Sequence, residues 1–190
     1  MNIKNRPSTE ELKEELISIK RKRNYFKTLR NTIYILLIVA AISILVATMF
    51  FPVLQVTGTS MEPTLKPGQI ILTVRNTDFK RGDLVAFYYN NKIILKRVIG
   101  LPGEYVNIDK EGVVTIDGKA IKEPYLKERS LGDGDIEFPY QVPEGRIFVL
   151  GDHRKTSIDS RYESIGAIAN DLILGKVVFR VWPIKNLGKI

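Results

Sequence analysis

At 190 residues the chain has room for one cored domain and an anchor, and too little for two sizeable domains besides. It has no cysteine, which excludes a disulfide framework, a thiolate nucleophile and a cysteine-ligated metal, and its single histidine, His153, excludes a multi-histidine metal site. The formal net charge is +8, and residues 1–30 carry +5 of it, from nine Lys and Arg against four Glu; a basic excess placed there flanks an apolar span rather than marking a nucleic-acid surface.

In chain order, residues 1–30 read as a basic cytosolic segment. Ser8 with Glu11 three residues on fits a capping box, Pro7 precedes it, and Leu12, Leu16 and Ile19 recur at helical spacing. The pattern predicts a short helix followed by a basic collar, Lys20-Arg21-Lys22-Arg23, and Lys4 and Arg6 add to the charge. From Ile33 to Phe51 there are nineteen residues without a charge. At ~1.5 Å per residue such a helix approaches the ~30 Å thickness of a hydrocarbon core, so residues 31–52 read as a transmembrane anchor. A cleaved signal peptide has a shorter apolar region, ~7 to 15 residues, and a small-residue cleavage site where this chain has Phe50-Phe51-Pro52. The Lys and Arg flanking the span lie before it, so the positive-inside rule places the N-terminus in the cytosol and residues 53–190 outside.

Beyond the anchor the pattern is mainly β: a coiled antiparallel sheet or partly closed barrel. Strands are expected at 69–74, 83–89, 93–99, 113–116, 146–150 and 176–182, where β-branched and aromatic residues gather between Gly and Pro turns. Asp117-Gly118 is a two-residue hairpin signal. Residues 123–141 lack a pattern and read as a long surface loop; its Gly132-Asp133-Gly134-Asp135 lacks the ligand spacing of a calcium loop.

Three clusters carry the chemistry. Ser60 sits in a Gly- and Pro-bounded turn, Thr57-Gly58-Thr59-Ser60-Met61-Glu62-Pro63-Thr64-Leu65, close behind the span. An isolated serine there would be an ordinary turn residue. Lys96 lies in the strand Ile93 to Ile99, on one face with Ile94 and Val98, and desolvation by such neighbours lowers a lysine's pKa until the neutral amine can accept a proton. Its bland reading is a lysine snorkelling from a sheet edge. The third cluster, Gly151 to Tyr162, gathers polar groups at the end of an apolar strand, where they can orient an amine and brace arginines.

In this order, behind an N-terminal anchor, the clusters resemble the type I signal peptidases, membrane-bound serine proteases with a Ser-Lys dyad. The resemblance covers about residues 33–182. Ser60-Met61-Glu62-Pro63-Thr64-Leu65 looks like the nucleophile box, and Arg81-Gly82-Asp83-Leu84-Val85 the next. The lysine box runs from Lys96-Arg97 through Gly100-Leu101-Pro102-Gly103-Glu104, and Gly151-Asp152 with Ser157, Asp159, Ser160 and Arg161 completes the set. What this implies is Ser60 as nucleophile, Lys96 as general base and Ser157 orienting the lysine amine, with Asp152, Arg97, Asp159 and Arg161 in support. Val56, Met61, Leu65, Ile94 and Leu95 would line the substrate wall. Gly58 stands where Gram-negative members have a serine for the oxyanion hole, and His153 and Lys155 stand where Asn and Asp are commoner; the short domain is similar to Gram-positive members.

The implied partners are secretory preproteins cut after small residues at −1 and −3, the phospholipid membrane and the protein translocation channel. No metal, no cofactor and no nucleic acid is expected. Three other readings use the same residues: a LexA-like Ser-Lys self-cleaving regulator, which would carry a DNA-binding domain in place of the anchor; a hydrolase using Ser60, His153 and Asp152 or Asp159; and a membrane-tethered, non-catalytic β-domain that binds peptides.

Overall fold

The computed structural model describes residues 8–75 and 78–190; Lys4, Arg6 and Pro7 of the basic segment lie outside these. The chain divides after Ala47 into two units, an N-terminal one and a second running from Thr48 to Ile190. One helix, α1 (Thr9–Phe50), accounts for the described part of the first. Its start is the expected capping box: Glu11 N donates to Ser8 Oγ at 3.2 Å and Ser8 N to Glu11 Oε2 at 2.9 Å. The short helix and the apolar span prove to be one uninterrupted helix of 42 residues, because no Gly or Pro occurs between Ser8 and Phe51 to break it. No residue of α1 is buried, and in its apolar half Leu36, Leu37, Ile44 and Leu45 on different sides are all more than half exposed. A helix apolar all round with nothing covering it fits a membrane anchor. Within that half the Ser43 hydroxyl donates back to Val39 O at 2.8 Å, so it brings no unpaired donor into hydrocarbon.

The second unit is built of antiparallel strands. They are β1 (Val53–Gln55), β2 (Ile70–Val74), β3 (Leu84–Tyr89), β4 (Lys92–Gly100), β5 (Tyr105–Ile108), β6 (Val114–Ile116), β7 (Lys119–Ala120), β8 (Tyr140–Gln141), β9 (Arg146–Leu150), β10 (Ile168–Ala169), β11 (Ile173–Trp182) and β12 (Gly188–Lys189). The larger sheet runs β1-β2-β11-β3-β4-β9-β10, with β12 added on β11; the smaller runs β7-β6-β5-β8. The ends of the larger sheet, β1 and β10, do not meet, so it curls as a partly closed barrel without closing. Each strand expected from the sequence is present within a few residues of its predicted span. The Asp117-Gly118 turn joins β6 to β7 with both residues at positive φ, 49° and 77°, as a two-residue hairpin requires.

Three apolar clusters fill the unit. Ile99, Val106, Val114, Phe148 and Leu150 join the small sheet to the large one. Val85, Phe87, Val98, Ile147 and Val149 lie along β3, β4 and β9. Val56, Met61, Leu65, Ile71, Leu84 and Val177 form the third, under the Ser60 turn. The segment 123–141 does lack strands up to β8, but it is not simply a surface loop. Glu123 is buried, and the amides of Asp135 and Ile136 donate to Arg161 O at 3.0 and 3.1 Å. The reason lies in its glycines: a Cβ at Gly132 would overlap Arg161 Nη1, and one at Gly134 would come within 2.6 Å of Arg161 O. Without side chains the loop can lie directly on the polar cluster that begins at Gly151.

Candidate active site

The Ser60 turn is pinned on both sides of the serine. Met61 and Leu65 are 2% and 0% exposed and plug into the third apolar cluster, and Leu65 N donates to Met61 O at 2.8 Å. Burying two such side chains contributes about 3 to 6 kcal/mol and leaves the half-buried Ser60 hydroxyl little freedom to move. Lys96, on the neighbouring strand β4, is 2% exposed, and its Nζ lies 2.8 Å from Ser60 Oγ. Burial lowers the lysine from its ordinary 10.5 to about 8; Asp159 and Asp152 oppose that shift and Arg161 adds to it. As an ammonium, Lys96 donates to Ser60. Once neutral it can receive the serine proton across the same distance, so the pair is already within proton-transfer reach.

Ion pairs of Asp152 with Arg97 and of Asp159 with Arg161 surround Ser60 and Lys96, and a third joins Arg154 of the polar cluster to Glu123. Asp152 is gripped by Arg97, from Nε to Oδ1 at 2.8 Å and from Nη2 to Oδ2 at 2.6 Å, and it also accepts from the Thr64 hydroxyl. Arg97 Nη1 donates to Gly82 O at 2.7 Å, which ties in the box that begins at Arg81. Asp159 holds Arg161 through Nε at 2.8 Å and Nη2 at 2.9 Å, and it accepts Gly151 N at 2.9 Å. Ser160 turns inward and accepts Val149 N at 3.0 Å, which fastens the loop to β9. Asp152, Asp159 and Arg161 therefore set the field around Lys96 without touching its amine, and Arg97 holds Asp152 in place.

Ser157 is buried, and among the described residues its Oγ has no hydrogen-bond partner. The bond expected from it to the Lys96 amine is not made in this structure, where that amine points to Ser60 instead. Ser157 Oγ packs into the space that a Cβ on Gly151 would fill. His153 is exposed, and its Nδ1 is 2.6 Å from Thr156 Oγ1, while only its backbone N–H reaches the Ser60 turn, donating to Ser60 O at 2.9 Å. The Ser-His-Asp arrangement is thus not assembled.

A cleft of about 180 Å³ opens beside Ser60, lined by Gln55, Val56, Thr57, Gly58, Ser60, Met61, Ile93, Ile94 and Leu95. Four of the five residues expected on the substrate wall are in it. Leu65 is not: it is fully buried with Ile71 and Leu84 behind the wall, because the turn needs an apolar anchor at its far end. Gln55, Thr57 and Ile93 also line the cleft and carry no local sequence signal: along β4, Ile93 falls on the face opposite Lys96. Thr64, Glu123, Tyr125 and Arg154 also end among these charges: Thr64 donates to Asp152, Tyr125 to Glu123, and Arg154 to Gly151 O. Thr64 lies inside the nucleophile box, but nothing in the sequence marks Glu123 and Arg154 as buried, since charged side chains ordinarily face water. No backbone or side-chain acceptor among the described residues takes the Ser60 amide hydrogen, and the space where Gly58 would carry a Cβ is empty. Among the described residues no three acidic or histidine side chains converge as a metal site.

The profile of the family described as "Signal peptidase, peptidase S26" matches residues 29–182. A signal peptidase I from Bacillus licheniformis is 36% identical over 186 residues, covering 90% of this chain and 96% of the relative. One from Bacillus caldolyticus is 37% identical over 149 residues, covering 70% and 80%. A solved signal peptidase I from Enterococcus faecalis is 31% identical, covers 52% of this chain and 96% of its own, and superposes with a TM-score of 0.43.

Proposed function

The chain belongs to the signal peptidase, peptidase S26, family, and from that premise we propose how its residues perform the cleavage. The family's activity is that of a membrane serine endopeptidase which removes signal peptides from preproteins. Ser60 is the nucleophile and Lys96 the general base, and the single observation that carries this is the 2.8 Å approach of a buried lysine amine to the serine hydroxyl. Neutral Lys96 takes the Ser60 proton as Oγ attacks the scissile carbonyl. The tetrahedral oxyanion forms against the unengaged Ser60 amide, the amine leaves with the proton from Lys96, and Lys96 then activates water to hydrolyse the acyl-enzyme. Arg97, Asp152, Asp159 and Arg161 hold the base's surroundings in place. Ser157, a buried hydroxyl with an unused bond, is available to steady the amine when it turns from Ser60 during the cycle.

The substrate enters as an extended strand, which turns alternate side chains to one wall. Val56, Met61, Ile94 and Leu95 line a cleft of about 180 Å³ there, and it is against this apolar wall that small side chains at −1 and −3 would seat. The basic residues before the apolar span support a cytosolic N-terminus with the β-unit on the outer face, where a signal peptide's cleavage site emerges. The protein translocation channel is the partner that would deliver it. Cleavage of a preprotein with an A-x-A site, in detergent or phospholipid, tests the assignment with wild type, Ser60→Ala, Lys96→Ala and His153→Ala side by side. Only the serine and lysine variants should be inactive; cutting by either would overturn the dyad.

A further inference from the structure

The stretch Glu123-Pro124-Tyr125 lies outside every box that carries the chemistry, yet two of its side chains end among the charges behind the site. Glu123 pairs with Arg154, and both side chains are 1% exposed. Arg154 Nε donates to Gly151 O at 3.1 Å. The Tyr125 hydroxyl donates to Glu123 Oε1 at 2.8 Å, and burial, followed by the Glu123 charge, raises its pKa so that it stays a donor. The Tyr125 ring carries the Arg97 guanidinium on its face, 3.8 Å from the ring centre, and that guanidinium grips Asp152.

Gly151 and Asp152 are consecutive, so these contacts close a ring: Gly151 carbonyl, Arg154, Glu123, Tyr125, Arg97, Asp152 carboxylate. What the ring encloses is the segment against which the nucleophile is seated. His153 N holds Ser60 O at 2.9 Å, and a Cβ on Gly151 would approach Ser60 O at 2.7 Å. Buried ion pairs seldom stabilise a fold more than apolar side chains of the same volume, so such a ring has its use in fixing geometry.

We infer that Tyr125 is a positioning residue: its ring face sets the Arg97 guanidinium, and through it the Gly151-Asp152-His153 segment that seats Ser60. The inference rests on the Ser60-Lys96 reading above. What matters in it is the aromatic face, since Phe presents the same face to a cation and an aliphatic side chain does not.

The test uses the full-length enzyme in detergent micelles and a peptide with Ala at −1 and −3, measuring kcat and KM separately for wild type, Tyr125→Phe, Tyr125→Leu and Ser60→Ala. Tyr125→Leu should lower kcat by about 10- to 30-fold, the worth of a desolvated cation–aromatic contact, with KM within twofold. Tyr125→Phe should restore kcat to within about threefold of wild type. Should the leucine variant fail to fold, Tyr125→Met, an unbranched and more adaptable side chain without a ring face, takes its place with the same expected loss. A leucine or methionine variant that turns over as fast as wild type, or a phenylalanine variant as slow as they are, overturns the inference. If Ser60→Ala itself cuts the peptide, the dyad reading has failed rather than the role of Tyr125.

Discussion

If Lys96 is the general base proposed above, it sets the pH dependence of cleavage, and the direction follows from its state. Only the neutral amine accepts the Ser60 proton, and burial has brought the lysine down to about 8. At pH 7 about a tenth of the enzyme then holds Lys96 neutral, at pH 6 about a hundredth, and at pH 8 half. The value of kcat/KM should therefore rise about tenfold per pH unit up to pH 7, bend near pH 8 and level off above it. The assay is initial-rate hydrolysis of a fluorogenic peptide in detergent from pH 5.5 to 10, with His153→Ala run in parallel. The two enzymes should give superimposable curves, because the imidazole faces Thr156 and not Ser60. A half-point near 6.5, the ordinary histidine value, that disappears in His153→Ala would refute the reasoning, and so would a flat profile across the range.

The same burial has a cost in stability. The folded chain binds the Lys96 proton less tightly than the unfolded chain, so the penalty is full below about pH 8 and fades as pH rises toward 10.5. At about 1.4 kcal/mol per pKa unit it amounts to about 3 kcal/mol, and Lys96→Met should raise the urea unfolding free energy by up to that much at pH 7 while abolishing cleavage; no gain would contradict the burial. Arg154→Met leaves Glu123 buried without its counter-charge and should lose about 3 to 5 kcal/mol, whereas Glu123→Leu combined with Arg154→Met should recover most of it, both read from unfolding midpoints. Gly151→Ala drives a methyl into Ser157 and within 2.7 Å of Ser60 O, so activity should be lost with a Tm decrease worth about 1 to 3 kcal/mol; an active variant would mean that this segment yields easily. Gly58→Ser enters empty space and offers a second oxyanion donor; kcat should rise about 3- to 10-fold, and no change would place the oxyanion elsewhere.

Much of this was legible in the sequence because the decisive signals are local. The capping box at Ser8, the uncharged run from Ile33, the hairpin at Asp117-Gly118 and the longer strands each follow from a short pattern whose physics is complete within a few residues. The pairing of Ser60 with Lys96 was expected for another reason, the order of three clusters that resembles a known family; the apolar neighbours Ile94 and Val98 add only that Lys96 can be desolvated, and the structure places its amine 2.8 Å from Ser60 Oγ. The strands Val53–Gln55, Tyr140–Gln141 and Ile168–Ala169 were not visible, since two or three residues have no period and pair only because a partner edge is there. Leu65 was misplaced because an apolar residue beside a catalytic turn can face either substrate or core, and only packing decides. Glu123, Tyr125 and Arg154 were hidden more deeply. Their roles depend on Gly132 and Gly134 lying against Arg161 and on β4 presenting Arg97, contacts between residues about 27 to 31 apart in sequence.

The most direct test of the account is to trap the acyl-enzyme. Wild type and Lys96→Met would be mixed with a peptide ester bearing Ala at −1, quenched with acid within seconds, and digested for mass mapping. With Ser60 as nucleophile and Lys96 as its base, an acyl adduct is expected on Ser60 in wild type and none in Lys96→Met. An adduct on another residue, or one on Ser60 that forms as fast without the lysine, would contradict it.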